Sequence, residues 1–324
     1  LSFSPDGKRL ALTLNSATSP SDVHVIDLAA ASLARWTQSE VGGLDAATFV
    51  APTLVRYPTF DKVDGKPRTI PAFYYKPSKP SKTGKYPVVI NIHGGPEAQS
   101  RPGFSAFTQF LVNELGYAVV APNVRGSSGY GEAFGAEANG AWGPVGSADI
   151  LRTVQWAVEE GIADPERIGV MGLSHGGYLT AWLLGHHPGV FRAAVSENPL
   201  SNFVSWYGGS DLQGYTDERF AGLGKLPEDI DAFLAASPMM AIHHNTAPLL
   251  LLQSEGDLRC PPEQAETLFT ILKLRGVPVQ MVRYPGEPHF VAGIGRPDRR
   301  VDRMERIVGW FERYLGSGAA PGND

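Results

Sequence analysis

Cysteine is nearly absent from this sequence: Cys260 is the only one in 324 residues. A lone cysteine excludes an internal disulfide, and the chain is therefore compatible with a reducing, cytoplasmic location. Long apolar runs are missing as well. No stretch reaches the roughly 18 consecutive apolar residues of a membrane-crossing helix, so no membrane association is expected. The chain opens on Leu1 rather than Met, with no charged leader ahead of an apolar run, so no signal peptide is read there. Basic residues are not in excess. Lys and Arg number 28 against 33 Asp and Glu, a net charge of -5. Without a basic face no nucleic-acid partner is expected, and no block of like charge reads as a tail. Histidines at metal-ligand spacing are lacking too. His186-His187 and His243-His244 are adjacent pairs, poorly placed to chelate one ion together, so neither a metal nor another cofactor is expected.

What is present is ordinary for a soluble globular enzyme, with 43% apolar and 19% charged residues. The length suits one large α/β domain with a smaller piece attached, and leaves a homo-oligomer open. The smaller piece reads as residues 1–60. Leu1-Ser2-Phe3 and Arg9 to Leu12 are strand-like around Pro5-Asp6-Gly7, a strong turn signal, and Asp22 to Leu28 reads as another strand. Phe3-Ser4-Pro5-Asp6-Gly7-Lys8 is similar to the repeat of β-propeller blades. One blade cannot bury both its faces, so these residues are expected to be the last part of a propeller whose other blades lie upstream. The plainer alternative is a small β-rich extension.

From about residue 65, short continuous apolar runs alternate with helical periods. Strands are expected at Pro87–Ile92, Tyr117–Ala121, Ile168–Gly172, Ala193–Ser196, Leu249–Leu252 and Val279–Val282. Helices are expected around Ile150–Val158, Ala265–Leu272 and Val301–Leu315. Continuous apolar strands between amphipathic helices imply a mostly parallel, doubly wound sheet covered on both faces. Residues 61–324 are therefore read as one α/β domain; the Gly-x-Ser-x-Gly turn within it resembles that of the α/β-hydrolase fold. Residues 208–237, which include Gly214 and Asp217, are expected to be irregular and near the mouth of a site, and the segment after Gly316 to be poorly ordered.

Gly172-Leu173-Ser174-His175-Gly176 matches the nucleophile elbow, Gly-x-Ser-x-Gly, with a strand before it and a helical stretch from Tyr178 to Leu184 after it. Such a turn exposes the serine Oγ and points a helix N-terminus at the reacting carbonyl. A serine hydroxyl needs a base, and in this fold the order is serine, acid, histidine. His289 fits, because it stands in the turn Pro285-Gly286-Glu287-Pro288-His289 directly after a strand. The acid should follow the strand before that. Asp257 in Ser254-Glu255-Gly256-Asp257 is the first choice and Glu255 the second. Asp211, Asp217, Asp229 and Asp231 read as solvated or capping residues. An oxyanion needs backbone donors. The N–H of His175 is one, and Gly95 in His93-Gly94-Gly95-Pro96 supplies the other, with Gly94 the alternative.

Taken in order, the motifs His93–Pro96, Asn123-Val124-Arg125-Gly126-Ser127-Ser128-Gly129-Tyr130-Gly131, Gly172–Tyr178, Gly256-Asp257-Leu258-Arg259-Cys260-Pro261 and Glu287-Pro288-His289 resemble the prolyl oligopeptidase family, and within it the acylaminoacyl-peptidase and dipeptidyl-peptidase branch. The resemblance covers roughly residues 65–315. It implies an α/β-hydrolase domain capped by a β-propeller that admits short peptides or acyl-aminoacyl substrates. It also implies a catalytic set of Ser174, Asp257 and His289, with Gly95 and His175 as oxyanion donors. Arg259 resembles an arginine near the substrate mouth, and Tyr178 stands in the same motif as the nucleophile; both are carried as substrate-binding candidates. Arg125 reads as a structural hydrogen-bond donor. A carboxylesterase on the same fold and a non-enzymatic scaffold are the competing readings, since fold alone does not decide chemistry.

Overall fold

The apolar runs of the second half of the chain alternate in the direction of their side chains, which gives each strand two buried faces. In the strand Tyr86–Ile92, Val88, Ile90 and Ile92 enter one core while Val89 enters another. Leu249 and Leu251 face the first core, and Leu250 and Leu252 the second. That period of two, without polar interruption, is what a sheet sandwiched between helices requires. The structure, a computed structural model, describes residues 1–79, 81, 83–212 and 222–316.

In chain order the elements are β1 (Ser2–Phe3), β2 (Arg9–Ser16), β3 (Ser19–Asp27), β4 (Ser32–Arg35), β5 (Thr53–Val63), β6 (Lys66–Tyr75), β7 (Tyr86–Ile92), α1 (Ala106–Asn113), β8 (Ala118–Pro122), α2 (Glu132–Ala136), α3 (Trp142–Glu159), β9 (Ala163–Leu173), α4 (His175–His186), β10 (Ala193–Glu197), α5 (Phe203–Gly209), α6 (Ile230–Ala236), β11 (Leu249–Ser254), α7 (Glu263–Leu274), β12 (Val279–Tyr284), α8 (Val291–Ile294) and α9 (Pro297–Leu315). An eight-stranded sheet has the order β12-β11-β10-β9-β7-β8-β6-β5. From β12 to β8 every neighbouring pair is parallel, while β6 and β5 are antiparallel. The sheet is therefore mixed, parallel over the part that carries the expected motifs. Side chains of α3, α4 and α7 fill the core on one face; those of α9 fill the other, with α1 beside it. This is an α/β-hydrolase-type architecture, and each of the six expected strands and three expected helices is present with shifted ends.

Two expectations differ from the structure. The expected division after residue 60 falls inside β5, which is hydrogen-bonded along β6 and so belongs to the large sheet. The signal was the Asp64-Gly65 pair. Both residues have positive φ, the backbone of a two-residue hairpin turn, and join β5 to β6. The segment 208–237 is also less irregular than expected: α5 runs to Gly209, and α6 occupies residues 230–236. Gly214 and Asp217, and the chain after Gly316, lie outside the described residues.

The first four strands form a separate antiparallel sheet, β1-β2-β3-β4, a meander with Gly7 in its first turn. It touches the large domain through Ala17, which packs near Leu111 and Tyr75 and whose carbonyl accepts a hydrogen bond from Gln109 Nε2 at 3.0 Å. No helix among the described residues is long and apolar enough to cross a membrane.

One buried ion pair ties the two sides of the parallel sheet's carboxyl end together. Arg303 of α9 clamps the Glu197 carboxylate through Nε and Nη2, and both residues are buried. Removing one member of such a pair strands the other charge out of water. Arg303→Met is expected to lower the unfolding free energy by roughly 3–5 kcal/mol. Denaturant unfolding with an unchanged m-value is the measurement; a loss below about 1 kcal/mol would show that the pair is solvated.

Candidate active site

β9 is the central strand of the parallel region, and the chain leaves it through Ser174 directly into α4. Ser174 has φ 61° and ψ −119°, a backbone that a non-glycine residue adopts at a cost of about 1–3 kcal/mol. The surroundings hold it there. Its N–H donates to Glu197 O at 2.9 Å, and its carbonyl accepts from Tyr178 N–H at 2.8 Å. The turn is tight enough that a Cβ on Gly176 would collide with the carbonyl oxygen of Ile92, so only glycine fits.

The loop after β7 packs onto the elbow. A Cβ on Gly94 would stand 3.1 Å from Leu173 O and 3.4 Å from Ser174 Cβ. Gly95 follows with φ +129°, a conformation closed to side-chain-bearing residues. His93 braces this loop, with Nδ1 2.7 Å from Gly94 O and Nε2 2.8 Å from Ser127 Oγ. His175 is the first residue of α4, so its N–H has no partner within the helix. Gly95 and His175 thus come from the two backbone segments that meet at Ser174.

Asp257 and His289 are brought into direct contact. Asp257 lies just past β11 and is 1% exposed. Its Oδ1 accepts the N–H groups of Arg259 at 2.8 Å and Cys260 at 2.9 Å. Its Oδ2 lies 2.6 Å from His289 Nδ1. A carboxylate accepts, so Nδ1 carries the proton and Nε2 is the nitrogen left free. Glu255, the alternative acid, points elsewhere: it pairs with Arg283 at 2.8 Å on the surface. Cys260, three residues after the acid, is buried, and burial together with the Asp257 charge pushes its thiol well above the usual range.

The two substrate-binding candidates part company. Arg259 is half exposed at the rim, 3.8 Å from Asp211. Tyr178 does not face an open surface. Its side chain turns into an aromatic cluster with Trp142, His175 and Phe203, and its hydroxyl donates to Ala236 O at 3.2 Å. A position four residues past the elbow serine lies on the helix face turned toward α3 and α5, which is why it is buried at 1% exposure. Arg125 is a structural donor, forked onto Asp149 through Nε and Nη2 at 3.0 and 2.8 Å. Sequence reasoning missed Asn198 as part of this region and gave no role to the side chains of His93 and Cys260. The motif around His93 was visible, but the partners of its ring were not. Among the described residues no group of three or more potential ligands is placed to hold a metal.

The His175 side chain is buried beside the site with neither ring nitrogen hydrogen-bonded, and burial lowers its pKa to about 3. In the unfolded chain it titrates near 6.5, so the unfolded state binds more protons between those values. Its contribution is intact above pH 6.5 and is lost as the pH falls toward 3. His175→Phe is expected to flatten the decline in stability between pH 7 and pH 4.5, read from denaturant midpoints. An unchanged slope would show that the ring is protonated in the fold.

The sequence model of the prolyl oligopeptidase family matches residues 102–318. An uncharacterized peptidase of Bacillus subtilis, YuxL, is 33% identical over 97% of this chain and 47% of its own length. The acylamino-acid-releasing enzyme of Arabidopsis thaliana is 33% identical over 86% of this chain and 37% of its own. Among solved structures, the acylaminoacyl peptidase of Pyrococcus horikoshii superimposes with a TM-score of 0.86 at 29% identity, covering 98% of this chain and 50% of that one. The chain therefore spans about half or less of the length of these relatives. The family match extends over most of the α/β domain and includes the elbow and the loops that carry Asp257 and His289, and the chain belongs to the prolyl oligopeptidase family.

Proposed function

We propose that this chain is the catalytic part of a serine peptidase that hydrolyses short peptides or N-acylated aminoacyl peptides. The observation that carries the reading is the 2.6 Å contact between His289 Nδ1 and a buried Asp257, on loops at the same sheet edge as the Ser174 elbow. In this reading Ser174 Oγ attacks the scissile carbonyl carbon while His289 Nε2 takes its proton. Asp257 holds the tautomer and stabilises the imidazolium. The N–H groups of Gly95 and His175 receive the oxyanion. The intermediate collapses, the C–N bond breaks, and the leaving amine takes the proton from His289. Water then attacks the acyl-enzyme with His289 again as base, which releases the acid and restores the serine.

In this reading Arg259, half exposed two residues past the acid, meets a substrate's carbonyl or carboxylate. The substrate class is supported by the relatives named as acylamino-acid-releasing enzymes and by the structure of an acylaminoacyl peptidase with Z-Gly-Gly-Phe-chloromethyl ketone, 29% identical to this chain. The N-terminal sheet fits a propeller blade, since it is a four-stranded antiparallel meander with Phe3, Leu33 and Trp36 left exposed. A propeller would restrict entry to short substrates.

Ser174→Ala is expected to abolish turnover and labelling by a fluorophosphonate while the fold persists; labelling of a different serine would overturn the assignment. Asp257→Asn is expected to lower kcat by up to about 10⁴ through the wrong histidine tautomer. A drop of less than tenfold would remove Asp257 from the site. A panel of p-nitrophenyl esters and of aminoacyl and N-acyl-aminoacyl anilides separates peptidase from carboxylesterase. Hydrolysis of N-acyl-aminoacyl anilides is expected, and cleavage of esters alone would reject the peptidase.

A further inference from the structure

The residue after β10 occupies an unusual position. β10 lies between β9, which ends in the nucleophile, and β11, which ends in the acid loop; the histidine loop follows β12, one strand further out. Glu197, the last residue of β10, accepts the Ser174 N–H through its carbonyl. Asn198 comes next, with φ +41°, a left-handed backbone that asparagine tolerates better than most residues. It is 3% exposed, and it spends its side chain on the two loops that carry the acid and the histidine.

Asn198 Nδ2 donates to the main-chain carbonyl of His289 at 2.6 Å and to Ser254 Oγ at 3.3 Å. Oδ1 accepts the Ser254 N–H at 2.8 Å, and the Asn198 N–H donates to Leu252 O at 2.8 Å. The partners fix which way the amide faces, because one side meets an N–H and the other a carbonyl. Asp257 holds the His289 ring, and the two other tethers to this loop reach Glu287: Gly256 N–H donates to Glu287 O at 3.0 Å, and Arg296 N–H to Glu287 Oε2 at 3.1 Å. The Asn198 bond lands on His289 itself and joins it to the strand that also anchors Ser174.

We infer that Asn198 is a positioning residue for the base: its side-chain amide holds the His289 main chain in register with the nucleophile. The role rests on the proposed triad and adds to it, since Asn198 contacts neither the imidazole nor the serine hydroxyl. A group that acts only by placing the base affects the chemical step and leaves substrate binding alone. Asparagine is specified by chemistry as well as size. Aspartate would keep the Ser254 N–H on one oxygen but set the other against the His289 carbonyl, so the donor to His289 is lost and a buried charge faces a carbonyl oxygen.

The test uses the full chain with Asn198→Gly, which keeps the left-handed backbone and deletes the amide, and Asn198→Asp, which keeps the size and removes the donor. Both are compared with wild type on the preferred anilide and on p-nitrophenyl acetate, with folding followed by circular dichroism and Tm. Expected is a 10- to 100-fold fall in kcat in both variants with KM within about twofold, and a parallel fall in the fluorophosphonate labelling rate. A cycle with His289→Ala separates positioning from general damage. In the His289→Ala background, Asn198→Gly is expected to leave the residual ester hydrolysis unchanged, because the group it positions is gone. An equal fall in both backgrounds overturns the proposal, as does a kcat within threefold of wild type in Asn198→Gly. Failure of both variants to fold overturns it too, since a positioning role leaves the fold standing. Should His289→Ala by itself retain wild-type turnover, the triad reading falls and this inference with it. An inactive His289→Ala beside a fully active Asn198→Gly removes only the inference.

Discussion

A carboxylate taken out of water must find donors, and Asp257 finds three. Two are backbone N–H groups of the turn that follows it, and the third is the Nδ1 of His289. The backbone pair holds one carboxylate oxygen, because both donors belong to the same short turn, Arg259 and Cys260. The remaining oxygen can be satisfied only from the direction of the β12 loop. The ring that occupies that place is held in one tautomer with its other nitrogen free. The distances at this end of the sheet follow from meeting that demand while keeping the loop beyond β12 within reach.

Parallel strands solve the reach problem. In β9, β10, β11 and β12 all carboxyl ends lie at one edge, so residues far apart in sequence leave the sheet side by side. β10 carries no catalytic candidate, yet its end is the hub: Glu197 O receives Ser174 N–H, the Glu197 carboxylate is clamped by Arg303 of α9, and Asn198 bridges to the loops on the other side. The strained backbone at Ser174 survives because these neighbours over-determine it. Mechanical support for the elbow therefore comes from a strand that contributes no reacting atom. The mouth of the site is built differently. Arg259 and Asp211 are both well exposed and 3.8 Å apart, a geometry in which water weakens the attraction.

Family membership and chain coverage set the frame for function. The chain shares its α/β domain with relatives roughly twice its length, and the small N-terminal sheet abuts that domain through Ala17 and Gln109. The exposed Phe3, Leu33 and Trp36 on this sheet are apolar area that the domain itself does not cover.

The sequence by itself determined the layered architecture and the place of the Gly-Leu-Ser-His-Gly turn between strand and helix. Short continuous apolar runs such as Leu249–Leu252, repeated between amphipathic stretches, read as strands buried on both faces, and Gly-Leu-Ser-His-Gly stood out between a strand and a helix. Turn chemistry was legible as well, though the Asp64-Gly65 hairpin went unread and with it the antiparallel strands β5 and β6. The tertiary structure decided the rest. Glu255 and Asp257 are two residues apart and chemically alike; only the path of the turn directs one to His289 and the other to Arg283. Tyr178 shares a motif with the nucleophile, yet the rotation of α4 turns it into the core. Asn198 carries no local pattern at all, because its partners, His289 and Ser254, are 91 and 56 residues away. Periodicity records which side of an element is buried. It does not record which residues of separate strands arrive at the same edge, since that depends on the strand order of the folded sheet.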